Sequence, residues 1–554
     1  MALVEGTIRD DGGAVFNVRN TAFGGGAKGD GSTNDTAAIQ AAINAAATSG
    51  GTVYFPAGNY KHGFLTLYGR VNLVGAAGAV LQCAAVETHN TSVAVAVGIK
   101  RSGSTFVGDV WRGWIEGLHF ARHASFSFPD GSILLNFFNS AAYGVTRCRF
   151  TDMPGATPIK HNNDGNWYTG SIARSGGRFL YNVIEGGATS STSMQEGISL
   201  AAISGTETST DMQVIGNTVT GVADDPIASH GVTGLWVVRN YCRSLDGNIK
   251  INDSSDWHVL ENDCEHTSTG GGSGLIWASW DNNAQSPGSH RGEIRFNRLR
   301  IRSGQSVPQP IFLTGTRDVE VTHNHIRNES QNPAHIVVSA DLRAEVSTLT
   351  KQPYARVLVD DNYLVDTGIA FYDTEPVRTG WIRARRNTAV AVNGTPRINA
   401  PAARFADDDV DPRGWNSATH EIAGGLVAQP ELLCEWYLKD IPSGTAALLM
   451  ARYDSIVRWY APADVLLTTA TLESDQTLPA AGASALVQVN SGTVNFQFAF
   501  TDAQLPRLWT QHASPALRMT RGQYVEATIY PYNNLTGRDL VLRLYGVRLA
   551  RMAV

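Results

Sequence analysis

Tyr181-Asn182-Val183-Ile184, Ile215-Gly216-Asn217-Thr218-Val219, Val238-Arg239-Asn240-Tyr241 and Leu260-Glu261-Asn262-Asp263 repeat one short phrase: strand-forming residues, an Asn, then strand again. The phrase continues as Arg295-Phe296-Asn297-Arg298, Thr322-His323-Asn324-His325-Ile326, Asp361-Asn362-Tyr363-Leu364 and Arg386-Asn387-Thr388. Successive Asn are 35, 23, 22, 35, 27, 38 and 25 residues apart. A β-rich repeat of this period predicts a solenoid, in which each coil stacks on the last because one coil cannot bury its own apolar face. An Asn at one corner of every coil can hydrogen-bond to the coils above and below, as stacked amides do. The ladder also indexes the chain, because aligning its coils places residues far apart in sequence on one face.

The bulk composition agrees. The chain has 554 residues, 43% of them hydrophobic, and 56 Gly, which fits a folded, turn-rich β protein. A solenoid core grows lengthwise and so escapes the size limit of a single globular core. A net charge of −6 argues against a general nucleic-acid binder. No apolar run reaches the length of a membrane span, so no membrane insertion is expected. The start, Met1-Ala2-Leu3-Val4-Glu5-Gly6, has neither the basic segment nor the apolar core of a secretory signal.

The five Cys (Cys83, Cys148, Cys242, Cys264, Cys434) are odd in number and widely scattered, so no disulfide framework is expected. Cys242 and Cys264 each follow a ladder Asn by two residues and should stack on adjacent coils as buried apolar fillers. No Cys/His spacing resembles a zinc site, and neither a metal nor a cofactor is expected.

Upstream of the ladder, Gly29-Asp30-Gly31-Ser32-Thr33-Asn34-Asp35-Thr36 reads as a turn followed by cap residues. An Ala-rich helix with Ile39 and Ile43 one turn apart follows, and Gly50-Gly51 stops it. Thr52-Val53-Tyr54-Phe55-Pro56-Ala57-Gly58-Asn59-Tyr60 is a strand ending in a turn, and Val71-Asn72-Leu73-Val74-Gly75 begins the next. These residues resemble the opening of the pectate-lyase-like superfamily of right-handed β-helices. The resemblance implies an N-terminal helix that caps the solenoid, where open strand edges would otherwise invite aggregation. That superfamily includes lyases, hydrolases, epimerases and phage tailspikes, so the likeness speaks to fold more than to chemistry.

The expected organisation is therefore all-β: a lead-in over residues 1–23, a right-handed parallel β-helix over 24–395, a linker over 396–428, and a C-terminal β-sandwich over 429–554. The linker is rich in Pro, Ala, Gly and Asp, as in Asp407-Asp408-Asp409-Val410-Asp411-Pro412. The sandwich reads from alternating strands such as Val494-Asn495-Phe496-Gln497-Phe498-Ala499-Phe500.

In the β-helix class that these residues resemble, the second strand after the Asn corner lines an open groove, and aligning on the Asn assigns that strand in each coil. These strands are Pro158-Ile159-Lys160, Glu196-Gly197-Ile198, Asp224-Asp225-Pro226-Ile227-Ala228, Asp246-Gly247-Asn248-Ile249-Lys250 and Ser273-Gly274-Leu275-Ile276-Trp277, with later members at Ile311, Ile336 and Ile369. The Ile residues share one inward register. Three consecutive coils open this strand with acid: Glu196, then Asp224-Asp225, then Asp246. Coils stack at about 4.8 Å, so neighbouring carboxyls fall within the roughly 5–10 Å that glycosidases use. One carboxyl must stay protonated to donate to the leaving oxygen, while another stays ionised. Crowded like charges split the roles by raising the pKa of one member. Single acids before strands often serve only as turn formers; the shared register on three coils is what marks these four as catalytic candidates.

The arrangement is similar to the polygalacturonase family, in which an Asp, an Asp-Asp pair and a Gly-His-Gly on successive coils make the site. Asp224-Asp225-Pro226-Ile227-Ala228 matches the pair, Glu196 replaces the first Asp, and no His stands at 246–248. The resemblance implies acid-based glycoside hydrolysis. Around the acids, His230, Lys250, Trp277 and Trp280 are the candidate substrate-binding residues. Asp253, Asp256, Asp263 and Glu265 read as solvated turn residues.

The β-helix and the sandwich together resemble a phage tailspike depolymerase. This implies a homotrimer on the virion tail that cuts a bacterial surface polysaccharide outside the cell, with other tail or baseplate proteins as further partners. Two alternatives stand beside it: a polysaccharide lyase using Lys250 or the Arg383-Arg385-Arg386 cluster as base, and a non-catalytic receptor-binding fibre.

Overall fold

Each turn of the chain contributes one strand to each of three parallel sheets, A, B and C, in a computed structural model of the protein. It describes residues 14–399 except 90, 104, 163–166, 168–171, 190, 202–206, 267–273, 280–287, 306, 308, 331, 333, 340–353, 373–378, 386 and 391–396, and beyond 399 only Glu421–Ala423 and the strands named below. Sheet A runs from Ala14–Asn17 through Arg178–Leu180, Val232–Val238 and Ser255–Leu260 to Thr379–Arg385. Sheet B includes Val183–Glu185, Tyr241–Ser244 and Asp263–His266. Sheet C starts at Leu65–Leu67 and includes Thr157–Lys160, Ile198–Ala201, Ile227–His230, Ile249–Asn252 and Ile276–Ser279. With right-handed crossovers, the hand that parallel connections adopt, this is a right-handed parallel β-helix.

The turn from A to B is where the repeated phrase sits. The residue before each Asn takes a left-handed backbone: Tyr181 at φ 56°, Arg239 at 55°, Glu261 at 55°, Phe296 at 59°, His323 at 57° and Asp361 at 50°. Gly216 does so at 67° without the Cβ penalty, and a Cβ there would lie 2.5 Å from Tyr181 Cδ1. The bend turns each Asn inward. Asn240 Nδ2 donates to Val214 O and to Asn262 Oδ1, both at 2.9 Å, while Asn240 Oδ1 accepts from the backbone N and Nδ2 of Asn217. The same pattern links Asn182, Asn217, Asn240, Asn262, Asn297, Asn324 and Asn362. Every one of these Asn is buried, so the ladder satisfies backbone groups at a corner where the sheet hydrogen bonds stop.

Inside, the expected Ile register is present. Ile159, Ile198, Ile227, Ile249, Ile276, Ile311, Ile336 and Ile369 pair in sequence along sheet C, each at most 1% exposed. Cys242 and Cys264 face each other in register on sheet B as buried free thiols. The helix spans Thr36–Ser49, buries Ala38, Ile39, Ala42, Ile43 and Ala46, and packs on the first strands of sheets A and C. Its N-cap Asp35 makes no capping bond; its carboxylate instead accepts from the backbone N of Lys28 and Gly29 at 2.7 and 3.0 Å, tying the preceding turn to the helix start.

Three of the acids expected to be solvated on turns lie on strands instead, Asp256 within Ser255–Leu260 and the other two together, and one of them is buried. Asp263 and Glu265 lie on the strand Asp263–His266, and Glu265 is 6% exposed. Arg243 reaches it from one side at 2.6 Å and Arg302 from the other at 2.9 Å. An outward row on stacked coils brings such side chains within reach at a separation that a single strand does not reveal.

The chain divides into two compact units, residues 1–385 with 399–410, and 386–398 with 411–554. The second unit forms a β-sandwich of two antiparallel sheets. One contains Glu431–Leu438, Ala451–Arg452, Val465–Ser474, Leu508–Met519 and Leu540–Arg548; the other contains Leu448–Leu449, Trp459–Tyr460, Ser484–Ser491, Val494–Thr501 and Tyr524–Tyr532. Among the described residues no helix is long and apolar enough to cross a membrane.

Candidate active site

The outward row of sheet C is set by the same register that buries the isoleucines. One residue after each inward Ile come Lys160, Ser199, Ala228, Lys250, Trp277 and Phe312 on successive coils. The acids precede the Ile on the turn entering the strand. Backbone bonds fix their relative heights: Gly197 N donates to Asp225 O at 3.1 Å, Asp224 N to Gln195 O at 2.9 Å, and Ile227 N to Asn248 O at 3.0 Å. Glu196, the Asp224-Asp225 pair and Asp246 thus stand at the entry to sheet C on three adjacent coils.

The four carboxyls act on one another. Asp225 is 5% exposed. Burial, and then the neighbouring Asp224, hold its carboxyl well above the ordinary carboxylate range, with Lys250 pulling the other way and Glu196 and Asp246 adding to the rise. Asp224 is half-buried and is also raised, first by burial and then by Glu196; its hydrogen bond with Asp225 opposes the rise. Like charges this close oppose one another's ionisation, so the pair gives up its protons less readily than isolated carboxyls do.

Two lysines bracket the acids. Lys160 Nζ donates to Glu196 Oε2 at 2.8 Å, and Lys250 Nζ lies 3.9 Å from Asp225 Oδ2. Lys250 also sits over the Trp277 ring at 5.8 Å, and Trp277 meets Phe312 edge-on at 5.0 Å. The site is thus a polar stretch of acids and lysines that runs into an aromatic stretch along one face. Among the described residues no cluster of His, Cys, Asp and Glu could hold a metal ion.

Of the residues read from the sequence, Glu196, Asp224, Asp225, Asp246, Lys250 and Trp277 come together here. His230 ends its strand, in register with Ala201 and Asn252, five residues and roughly 16 Å of extended chain from Asp225. Trp280 lies outside the described residues, and Trp257 is fully buried in sheet A. Lys160 and Phe312 were not assigned from the sequence. Their signal was the shared position one residue after the inward Ile, the position Lys250 and Trp277 occupy three and four coils after Lys160.

Comparison with known proteins bears chiefly on the fold. A model of the family described as "Rhamnogalacturonase A/epimerase, pectate lyase-like" matches residues 15–126, which end before the first acid. Mannuronan C5-epimerase AlgE3 of Azotobacter vinelandii is 51% identical over 70 residues, 11% of this chain and 4% of that protein. Alginate lyase 7 of the same organism is 52% identical over 60 residues, 9% of this chain and 7% of that protein. The chain therefore matches only a small fraction of the length of these relatives. The surface adhesin PfbA of Streptococcus pneumoniae superposes with a TM-score of 0.51 at 15% identity, covering 70% of this chain and 93% of PfbA. The three stacked sheets and the Asn corner converge on one conclusion: the chain is a right-handed parallel β-helix protein whose N-terminal part, residues 15–126, is similar to the pectate-lyase-like family.

Proposed function

We propose that the chain is a tailspike-like endo-glycosidase that binds and hydrolyses a bacterial surface polysaccharide (capsule, exopolysaccharide or O-antigen) in the sheet C groove. The observation that carries this reading is the Asp224–Asp225 pair, raised in pKa on a coil flanked by Glu196 and Asp246. The pair carries the acid proton, and half-buried Asp224 presents it to the glycosidic oxygen. Asp225, nearly inaccessible, holds the shared proton in place. Glu196 or Asp246, one coil away on either side, activates the water that attacks the anomeric carbon. Trp277 and Phe312 offer aromatic faces to sugar rings, and Lys160 and Lys250 fix the carboxylates they contact.

The names of the partial relatives, a mannuronan epimerase and an alginate lyase, agree with a polysaccharide as ligand. Within the same reading, residues 24–395 form the catalytic domain and 429–554 serve trimerisation or carbohydrate binding. The protein acts as a homotrimer on a virion tail.

β-Elimination is the runner-up, with Lys250 as the base placed against an aromatic face. Its Nζ already faces Asp225 at 3.9 Å, and elimination leaves the stacked acids without a role. Incubating the protein with a panel of bacterial capsules and O-antigens, and following both reducing ends and ultraviolet absorbance, separates the readings. Reducing ends without an absorbing product support hydrolysis, absorbing unsaturated products support elimination, and binding without cleavage supports a receptor-binding fibre.

A further inference from the structure

A cavity opens on the face of sheet C at the end of the solenoid covered by the capping helix. It encloses about 560 Å³ and is lined by Gln40 and Asn44 of the helix, Phe64, Thr66 and Tyr68 of the first sheet C coil, and Glu87, Arg101 and Gly103. The helix does more than cover the sheet here. Gln40 bonds both ways to the Thr66 backbone, Nε2 to O at 3.1 Å and Oε1 from N at 2.9 Å. Asn44 Oδ1 accepts from Gln40 Nε2 and from Tyr68 Oη, both at 2.9 Å. The amides are thereby held at fixed angles above an aromatic wall. Phe64 meets Phe106 edge-on at 5.7 Å and Trp167 at 5.8 Å, and Arg101 covers Phe64 at 5.6 Å.

Planar polar groups in fixed positions beside aromatic faces are what a pyranose ring requires. Its hydroxyls take paired hydrogen bonds, and its apolar C–H face packs on a ring. The charges narrow the choice. Arg101 is already paired with Glu87 at 2.8 Å and Lys100 with Asp109 at 3.5 Å. No described cation of the cavity wall is left over for an anionic ligand.

Register places this cavity relative to the acids. Thr66 pairs with Ala96, Ala96 with Asn136, Asn136 with Lys160, Lys160 with Ser199 and Ser199 with Ala228. Five steps of about 4.8 Å separate Thr66 from the Asp224-Asp225 coil, roughly 24 Å along the axis. Phe106, Phe138 and Trp167 pack with Ala96 and Ile133 in a buried apolar cluster near the cavity end of that row, and the distance along the axis makes the cavity distinct from the acid site.

We propose that this cavity is a second sugar-binding site, taking an uncharged sugar residue of the same polysaccharide and anchoring the chain roughly 24 Å from the point of cleavage. The proposal rests on the polysaccharide reading above but not on hydrolysis. An anchor at that distance raises the effective concentration of long chains at the acids and does nothing for fragments too short to span both recesses.

The test uses the full-length protein on an array of bacterial surface polysaccharides, with di- and trisaccharide fragments and decasaccharides of whichever glycan binds. Tyr68→Ala and Arg101→Ala are half-exposed or exposed positions, and circular dichroism checks that each variant is folded. The expected result is at least a tenfold loss of affinity for the polymer and the decasaccharide, with KM for the long chain raised and kcat unchanged. Short fragments cut at the acids should keep their native KM. If binding survives the loss of all cleavage in Glu196→Gln/Asp225→Asn/Asp246→Asn and still falls on Tyr68→Ala, the anchor stands whatever the fate of hydrolysis. Native affinity for the decasaccharide in both cavity variants overturns it, as does an array on which the native protein binds no glycan.

Discussion

Lys250 Nζ lies 3.9 Å from Asp225 Oδ2, reaching it from the next coil of sheet C, and it lowers the pKa of both Asp224 and Asp225. Removing it leaves burial and the neighbouring acids to raise both carboxyls further. Lys250→Met should therefore move the alkaline limb of the kcat/KM profile to higher pH. It should also lower affinity, because the Trp277 face loses the cation above it. A pH–rate profile of native and variant checks both; an unmoved limb removes Lys250 from the proton balance.

Asp225 binds its proton more tightly folded than unfolded. Its contribution to stability is therefore highest below the ordinary value of 3.8 and is lost as pH rises toward the raised folded pKa. Asp225→Asn carries no such loss. Its melting temperature should match the native protein near about pH 4 and exceed it near about pH 8. Thermal scans across that window decide; a variant that melts lower at the higher pH contradicts the buried-acid assignment.

Asn240→Ala should be among the most damaging single changes in the solenoid. It deletes two donated bonds, to Val214 O and Asn262 Oδ1, and two accepted from Asn217. With each net bond near 1 kcal/mol and buried partners left unpaired, the loss is about 3 kcal/mol or more. Gly216→Ala tests the adjoining bend, since it places a Cβ against Tyr181 at φ 67°. Urea midpoints measure both, and an unchanged midpoint for Asn240→Ala would show that the ladder does not stabilise the coil.

Trp277→Ala should raise KM about tenfold with kcat within a few fold, as loss of an aromatic contact of about 1.4 kcal/mol implies. Trp257→Ala should instead lower the melting temperature, because Trp257 is fully buried with its ring over Gly292. The contrast separates the two tryptophans by role.

The fold was legible because it rests on backbone geometry that repeats. A left-handed residue followed by a buried Asn recurs on each coil from Asn182 to Asn362, and so leaves a mark in the sequence each time. The acids were legible for the same reason, since register carries Glu196, Asp224, Asp225 and Asp246 to one edge. Pair contacts between coils were not. Nothing in Pro158-Ile159-Lys160 announces that Lys160 ends at Glu196, 36 positions later, because coil length varies with the inserted turns. Glu265 misled for a related reason: an isolated acid looks solvated until arginines from the coils on either side close over it. The cavity beneath the capping helix left no motif, as it depends on where Gln40 and Asn44 fall on the helix relative to Thr66 and Tyr68.

The central claim is that the Asp224–Asp225 pair supplies the catalytic proton. Reducing-end release from the polysaccharide identified on the panel, measured side by side for the native protein and Asp225→Asn, tests it most directly. The expected result is a fall in kcat of about 100-fold or more with binding unchanged. Near-native turnover in Asp225→Asn, or products that absorb as unsaturated sugars, would contradict it.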